Sequence, residues 1–514
     1  MRAVGAVLLL VVLATTVATG ARRWRIPAPS LLVLAGLAVA LIPGAPALRI
    51  APETIGLVVL PPLLYASAEE LSLRDLRSVW RPVTVLAFGL VLASAAAVGA
   101  LATALTPLPG PMAFVLGAVL ASTDPVAVTA LGRRLALPGR VQVLVQAESL
   151  FNDATSLVLF RVAVTVAVAS GAVGWQAAGG QFALLAGGGS AIGAAVAGGV
   201  TLIRRRTTDP VLETVIALVT PYGAYVLAES AHTSGVTAVV IAGVLLGRSG
   251  HRLTDARIRL QLHAVYAVVV FLLESVVFSI VGLELPTLVR ELPSGAGLWP
   301  LQALALAGAL IALRVIWMLP LSAAVRPGRG RPSWRIATVV SWAGTRGVMP
   351  LAAALSIPLA AENGRPLPGR ALVLVLTTAV VVFTLVVQGL SLARVVNRSG
   401  LALEPEHTAR EEDQAREALT RAGLTHLDQL TDLESIPDHV VDRVRRGLTA
   451  RLDQTEEPTT GAPALAAYRA LRHEVIAVQT TALRRLYDDH LISDTTRRRL
   501  QRDLDLEETG LGTS

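Results

Sequence analysis

The chain has 514 residues, of which 53% are hydrophobic and only 16% are charged, and its mean hydropathy is +0.60. Soluble proteins of this size carry more charge, so the composition indicates a polytopic membrane protein. The net charge of +8 does not indicate a nucleic-acid-binding protein, because the excess of arginine lies in the apolar part while residues 401–514 are acidic. The sequence contains no cysteine, which excludes disulfides and thiolate metal sites.

Apolar runs long enough to cross about 30 Å of hydrocarbon recur along the first 397 residues. The first run is interpreted as a span and not as a cleaved signal, because most of its arginines follow the apolar stretch. The predicted spans are thirteen, near residues 3–20, 29–43, 50–67, 82–106, 111–131, 140–169, 179–204, 209–229, 233–248, 260–287, 298–325, 334–358 and 369–396.

The arginines of the connecting loops are unevenly distributed between the two sides of the predicted membrane. Twenty of them follow odd-numbered spans, and only five lie on the opposite side. Because loops rich in arginine stay in the cytoplasm, this distribution predicts an N-terminus outside the cell and a cytoplasmic C-terminal tail.

Two predicted spans contain helix breakers near their middle. The fifth, "GAVLASTDPVAVTALG", contains Pro125, which removes a backbone N–H and disfavours helix at Asp124. The twelfth, "SWAGTRGVMPLAAALSIP", contains Gly344, Gly347 and Pro350. The two breaks are seven spans apart, and an odd spacing predicts two halves of opposite topology. In transporters built from inverted repeats, such paired interruptions mark the binding site at the membrane midplane.

The sixth predicted span, "AESLFNDATSLVLF", carries polar residues within an apolar helix. At 100° per residue these side chains share one wedge of about 140°. A charge at the bilayer centre costs at least about 2.5 kcal/mol, so the wedge is expected to face protein or a water-filled cavity. The polar residues are Glu148, Ser149, Asn152, Asp153 and Ser156.

Thr123 and Asp124 of the fifth span and Arg346 of the twelfth are expected to meet this wedge. Three acidic residues then face one central base, which leaves at least one carboxylate without a partner. A carboxylate shielded from water takes up a proton or a cation. Asp153, Ser149 and the carbonyl near Thr123 supply the oxygen ligands that Na+ prefers. This set indicates competition between a proton and a metal ion; a polar network that only holds the helices together is the alternative.

The motifs "STDPVAV", "AESLFNDATSLVLF", "GTRGVMPLAAALSIP" and "TLVVQGLSL" resemble those of the monovalent cation:proton antiporters, specifically the bacterial NhaP-like Na+/H+ exchangers. This resemblance implies an all-α polytopic membrane protein with about 13 transmembrane helices in two inverted repeats, two interrupted crossing helices and a helical cytoplasmic tail. The implied domains are an exchanger domain at 1–398, with a core bundle at about 82–169 and 298–396 and a dimerisation part at about 1–67 and 209–287, and a tail at 399–514.

The resemblance also implies roles for individual residues. Asp153 is similar to the carboxylate that binds either a cation or a proton, and Ser149 and Thr123 are similar to further ligands of Na+. Asp124 matches the acidic residue beside the helix crossing. Electrogenic relatives carry aspartate where this chain has Asn152, so the resemblance implies that one charge is exchanged for one.

Glu148 and Arg346 resemble the family's structural ion pair. The sequence departs from the family after "PPLL", where several members carry a cation-binding glutamate and this chain has Ala66. The acidic residues come later, at Glu69 and Glu70, and Glu69 is interpreted either as part of a solvated loop or as a member of the ion path. The ligand set and the cation selectivity therefore stay open.

The function that the resemblance implies is a secondary active antiporter, not an enzyme, in the bacterial plasma membrane. It would exchange Na+, with K+ or Li+ as further candidates, for H+ as a homodimer with elevator-type motion, without a cofactor and without a nucleic-acid partner. Three alternatives are a K+/H+ antiporter for pH or volume control, a gated cation channel, and an intramembrane hydrolase. A hydrolase with Asp124 and Asp153 as a dyad would leave the Glu148–Arg346 pair and the two breaks without a purpose.

Overall fold

The chain divides into two compact units, Met1–Leu403 and Glu404–Ser514. The predicted division into 1–398 and 399–514 lies close to this boundary. A computed structural model describes residues 11–20, 28–42, 52–71, 73–124, 139–168, 175–207, 209–253, 256–292, 297–324, 333–361 and 365–400 of the first unit, and residues 420–429 with scattered later positions of the second.

The described part of the first unit is built from helices joined by short connections. In chain order they are α1 (Val11–Gly20), α2 (Ala28–Ala40), α3 (Pro52–Glu69), α4 (Leu73–Thr84), a π-helical turn (Val85–Leu90), α5 (Val91–Leu105), α6 (Gly110–Ala121), α7 (Gly139–Val168), α8 (Trp175–Arg204), α9 (Pro210–Ser230), α10 (Gly235–Leu253), α11 (Ala256–Arg290), α12 (Trp299–Ala324), α13 (Ser333–Trp342), α14 (Val348–Leu355) and α15 (Arg370–Ser399).

Seven described helices are long and apolar enough to cross a membrane, and further apolar helices are shorter. Most ends lie within a few residues of the predicted spans; α7, for example, covers Gly139–Val168 where the sequence predicted 140–169. The prediction of an all-α polytopic membrane protein is confirmed. The number of thirteen spans stays a prediction, because short and interrupted helices do not by themselves show where the chain crosses.

One helix begins earlier than predicted. The fourth span was predicted to start at 82, but α4 begins at Leu73 and continues through the π-helical turn into α5. In the segment before 82, apolar residues recur every three or four positions, with Val79 buried and Arg77 and Arg81 exposed. This amphipathic pattern supports helix although it is too polar to resemble a span.

The helices approach closely where they carry glycine. A Cβ at Gly117 of α6 would overlap the carbonyl oxygen of Ala95 on α5, and a Cβ at Gly282 of α11 would overlap that of Val33 on α2. Without a hydrophobic driving force between helices in lipid, close backbone contact through small residues supplies much of the packing energy. Glycine at these two positions therefore allows both helix pairs to pack closely.

The two predicted interruptions meet in space. The chain leaves α6 at Ser122 and is extended as far as Asp124, while α13 and α14 are separated by a non-helical segment at 343–347. The Asp124 N–H donates to the Thr345 carbonyl at 2.8 Å, and the Thr345 hydroxyl donates to the Asp124 carbonyl at 2.8 Å. Each segment thus satisfies backbone groups that the other freed from its helix. Pro125 itself lies outside the described residues.

The second unit is helical where it is described. Residues 420–429 form a helix, and the scattered positions after 438 are also helical. Arg445 and Asp428 form an exposed ion pair at 2.7 Å. An exposed pair of this kind contributes about 0–1 kcal/mol, so it does not by itself determine how this unit folds.

Candidate ion-binding site

The polar wedge of α7 lies against the extended end of α6. The Ser149 hydroxyl donates to the Thr123 carbonyl at 2.6 Å, and the Asn152 amide Nδ2 donates to Thr123 Oγ1 at 3.1 Å. One turn further along α7, the Ser156 hydroxyl donates to the Ala118 carbonyl at 2.6 Å. These bonds satisfy polar groups inside the bilayer region and fix the interrupted helix against α7.

Asp153 stands at the centre of this contact and is 7% exposed. The Ser122 hydroxyl donates to its Oδ1 atom. Among the residues that the structure describes, no arginine lies within ion-pair distance of Asp153, and none donates to its Oδ2 atom. The carboxylate is therefore oriented on one side and available to a ligand on the other.

A cavity of about 490 Å³ opens beside this carboxylate, and we name it the Asp153 cavity. It is enclosed by residues of α3, α7, α11 and α14, together with Asp124. Its polar lining includes the carboxylates of Glu70, Asp124 and Glu274. Glu70 and His263 are exposed whereas Asp153 is buried, so Asp153 lies at the closed end of the cavity.

A second cavity of about 620 Å³ lies on the other side of the same helices, and we name it the Arg161 cavity. Arg161 of α7 forms an ion pair with Glu229 of α9 and donates to the Thr233 carbonyl at 3.3 Å. The Glu229 carboxylate also accepts from the Gly235 N–H at 3.0 Å, at the start of α10. Through these contacts the ion pair links α7, α9 and α10 in the wall of this cavity.

A thin layer of protein, which we call the septum, separates the two cavities. On α7, Asp153 lines the first cavity and Leu157 lines the second; on α3, Leu63 lines the first and Leu60 the second. At a rise of 1.5 Å per residue, the four-residue step on α7 corresponds to about 6 Å. About one helical turn therefore separates Asp153 from the opposite cavity.

Glu148 has a different partner from the predicted one. Its carboxylate accepts from Arg314 Nη1 at 2.6 Å and Nη2 at 2.8 Å, and both side chains are at most 3% exposed. Arg314 lies on α12, and its Nε donates to the Val340 carbonyl on α13 at 3.1 Å. A Cβ at Gly344 would lie 2.6 Å from Arg314 Cδ, so glycine leaves the space through which this side chain passes.

Arg346 is therefore not the ion-pair partner of Glu148, and that prediction was wrong. Arg346 lies in the break between α13 and α14, where its N–H donates to Thr384 Oγ1 at 3.1 Å and its Nη1 to the Gly344 carbonyl at 3.3 Å. It is buried, and within the described ranges no carboxylate lies within ion-pair distance of it. Its charge acts on Asp153 and Glu148 through space.

Some residues at the site were missed by the sequence analysis, and the roles of others were left open. Ser122 holds the Asp153 carboxylate, but a serine next to the predicted Thr123 gave no signal of its own. Glu274 lines the cavity, but a single glutamate in the apolar run of the tenth predicted span gave no indication of this. At the departure after "PPLL", Ala66 and Glu70 line the cavity, while Glu69 is absent from its wall.

The arrangement combines a buried carboxylate with neutral oxygen atoms. Ser149 and Thr123 are already hydrogen-bonded to each other, so the carbonyl reaches a cation through its second lone pair and the hydroxyl through its oxygen. Asn152 contributes an amide oxygen, Oδ1, that has no hydrogen-bond partner. Hard cations prefer such oxygen ligands, so the arrangement has the chemistry of a candidate cation site.

Comparisons with known proteins agree with this fold. Residues 8–398 match the family model for the transmembrane sodium/hydrogen exchangers. An uncharacterized Na+/H+ exchanger of Mycobacterium tuberculosis is 34% identical over 505 residues, covering 95% of this chain and 92% of the relative. A sodium, potassium, lithium and rubidium/H+ antiporter of Bacillus pumilus is 30% identical over 378 residues, covering 70% of this chain and 56% of the relative.

Among solved structures, the sodium proton antiporter MjNhaP1 of Methanocaldococcus jannaschii has a similar fold. The TM-score is 0.63 with 20% sequence identity, and the match covers 78% of this chain and all of the other. At this identity the likeness concerns the fold alone.

Proposed function

This chain belongs to the sodium/hydrogen exchanger family of membrane transporters, and we propose that it exchanges Na+ for H+ across the bacterial plasma membrane. One observation carries the proposal: Asp153 is buried beside a cavity, and no described arginine lies within ion-pair distance of it. Cation and proton compete for this one carboxylate, so each leaves when the other binds. Asn152, Ser149, Thr123 and Asp124 surround it as further groups of the site.

The two cavities support alternating access. The arginine distribution assigns the Glu70 side to the cytoplasm, so the Asp153 cavity opens inwards and the Arg161 cavity outwards. In this orientation the N-terminus lies outside and the tail lies in the cytoplasm. Asp153 then exchanges its ligand with the cytoplasm in the present conformation, and a shift of about one helical turn brings it to the outer cavity.

The walls of the Asp153 cavity come from both predicted parts of the exchanger domain. Residues of α7 and α14 lie in the core bundle at 82–169 and 298–396, whereas those of α3 and α11 lie in the dimerisation part at 1–67 and 209–287. An elevator motion of the core against a fixed, dimeric scaffold would carry Asp153 past this boundary. The bound ion would then reach the other side without a continuous pore.

The stoichiometry follows from the charges next to Asp153. Asn152 is neutral and donates its amide to Thr123, and Glu148 is paired with Arg314, so Asp153 is the one carboxylate of α7 in the site that has no ion-pair partner among the described residues. One cation exchanged for one proton moves no net charge. The proposed exchange is therefore electroneutral and is driven by concentration gradients alone.

The test is reconstitution into liposomes that contain a pH-sensitive dye. Addition of Na+ outside should move protons across the membrane at a rate that follows the fraction of sites with Na+ bound. The KM for Na+ should rise with proton concentration, while the maximal rate should stay the same. Na+-dependent current without proton movement would instead identify a channel. A protein that moves protons without regard to the added cation would contradict the proposal.

K+ and Li+ are further candidate substrates. The Bacillus pumilus relative is named for sodium, potassium, lithium and rubidium. Position 66 is alanine in this chain, so no carboxylate there restricts which alkali cation binds. The same liposomes tested with K+ and Li+ would rank the ions. A response to K+ that exceeds the response to Na+ would identify a K+/H+ antiporter.

A further inference from the structure

Glu274 is a charged residue in the middle of α11 to which the proposed exchange assigns no role. It lines the Asp153 cavity and is half-buried. No described residue forms a hydrogen bond or an ion pair with it, and the charge that acts on it is that of Asp124, which has the same sign. A carboxylate near the bilayer centre costs at least about 2.5 kcal/mol, so one without a structural partner indicates an ion path.

Glu274 of α11 and Asp153 of α7 line the same cavity. The cavity face of α11 consists of residues three or four positions apart, from His263 through Tyr266 and Val270 to Glu274. His263 is exposed at the mouth, and Glu274, about 16 Å further along the helix axis, is the last residue of α11 in the wall. Asp153 is likewise the last residue of α7 in the wall, so both carboxylates stand at the closed end.

We propose that Glu274 is a second cation-binding carboxylate, which holds an arriving cation at the closed end of the cavity before Asp153 takes it up. The inference rests on the proposed exchange and names a further ligand for it. The carboxylates of Asp124 and Glu274 line one cavity, and a cation between two carboxylates lowers the energy of holding both near each other. Arg314 cannot do so, because Glu148 occupies its guanidinium.

The position of Glu274 also restricts its role to ions that enter from the Asp153 cavity. Asp153 lies in the predicted core and Glu274 in the predicted scaffold, so motion of the core would separate them. Glu274 then assists binding from the Asp153 cavity and has no part in binding from the Arg161 cavity. Glu70 provides a matched control, because it lines the same cavity but is exposed at the mouth, where water and salt screen its charge.

The experiment measures KM and kcat for Na+ in everted membrane vesicles, at constant ionic strength with choline as the balancing ion. Glu274→Gln should raise KM roughly fivefold or more and change kcat less than about twofold, because it weakens binding but leaves Asp153 in place. Glu274→Asp should stay within about twofold of the wild-type KM. Glu70→Gln should raise KM by less than about twofold, and that rise should disappear at high salt. In right-side-out vesicles Glu274→Gln should have the wild-type KM.

The outcomes distinguish this inference from the proposed exchange. A wild-type KM in Glu274→Gln, or an equal rise in Glu70→Gln, overturns the role of Glu274 and leaves the exchange intact. Absence of Na+-dependent proton movement in the wild type overturns both. If Glu274→Gln accumulates poorly, the Na+ concentration for half-maximal thermal stabilisation of purified protein is the second measurement: a rise supports the inference and an unchanged value overturns it.

Discussion

Arg314 holds the carboxylate of Glu148 with both Nη atoms, at 2.6 and 2.8 Å, in a place where neither side chain is more than 3% exposed. Since Arg314 also donates to the Val340 carbonyl, this single residue connects α7, α12 and α13. The connection positions α7, on which Asp153 lies, relative to the second interruption. The ion pair therefore supports the transport site without taking part in it.

Removal of Arg314 should destabilise the protein more than removal of Arg346. Arg314→Ala leaves Glu148 as a buried charge without its ion-pair partner, at a cost of about 3–5 kcal/mol, whereas Arg346 forms no ion pair with any residue that the structure describes. Thermal unfolding in detergent should show a clearly lower Tm and a lower yield for Arg314→Ala. The double variant Glu148→Leu with Arg314→Met should recover much of the loss. A lower Tm for Arg346→Ala than for Arg314→Ala would refute the assigned pairing.

Asp153→Asn should abolish exchange and leave a folded protein. Asparagine has the same shape and still accepts the Ser122 hydroxyl, but it can neither bind a proton nor attract a cation. The measurement is cation-dependent proton movement in liposomes, together with a size-exclusion profile as the check on folding. Normal exchange in this variant would remove Asp153 from the mechanism.

Ser122→Ala should change the apparent affinity for Na+ several-fold, about 1 kcal/mol, because it removes the hydrogen bond that orients the Asp153 carboxylate. Ser156→Ala is the control: its hydroxyl bonds to the Ala118 carbonyl and not to a carboxylate. The two variants lose one buried hydroxyl each, so a difference in KM reports on Asp153. Equal KM values would show that Ser122 has no special effect on the site.

Gly347→Ala should destabilise the crossing of the two interrupted helices. A Cβ at this position would overlap the Asp124 carboxylate, and overpacking of this kind costs about 1–3 kcal/mol. Gly308→Ala on α12 is the control, since nothing lies within 4 Å of its added Cβ, and it should be neutral or slightly stabilising. Tm and exchange rate should both fall for Gly347→Ala alone. Equal behaviour of the two variants would contradict the close approach at Asp124.

Exchange by the wild type should not respond to the membrane potential. With a gradient of a permeant anion such as thiocyanate used to set liposomes at zero or at negative potential, the initial rate of Na+-dependent proton movement should be the same, because one charge replaces another at Asp153. A rate that rises with potential would show that a second charge moves and would overturn the stoichiometry proposed from Asn152.

The local features of the site could be predicted from the sequence. The polar wedge on α7 follows from helical periodicity, and the interruptions follow from Pro125 and the glycines near Gly344, because both signals depend on residues close together in the chain. The odd spacing of the two breaks predicted halves of opposite topology, and the family resemblance implied crossing helices, but the contact of Asp124 with Thr345 is seen only in the structure.

The choice of long-range partners could not be predicted in the same way. The sequence offered Arg346 as the one central base for Glu148, whereas the structure gives this role to Arg314. The choice depends on the rotation of α12 and on the space at Gly344. Glu274 was missed for a related reason. A single glutamate in an apolar run has no periodic signal, and its importance appears only when α11 is seen to face α7.

The septum between Asp153 and Leu157 has an electrical consequence. Where water fills both cavities, each cavity has nearly the voltage of its adjoining solution, and most of the transmembrane field falls across the remaining helical turn. An ion at Asp153 would thus cross most of the voltage in a displacement of about 6 Å. Because Asp153 would carry either a cation or a proton, its neutral loaded form would cross this field without electrical work, as the proposed electroneutral exchange requires.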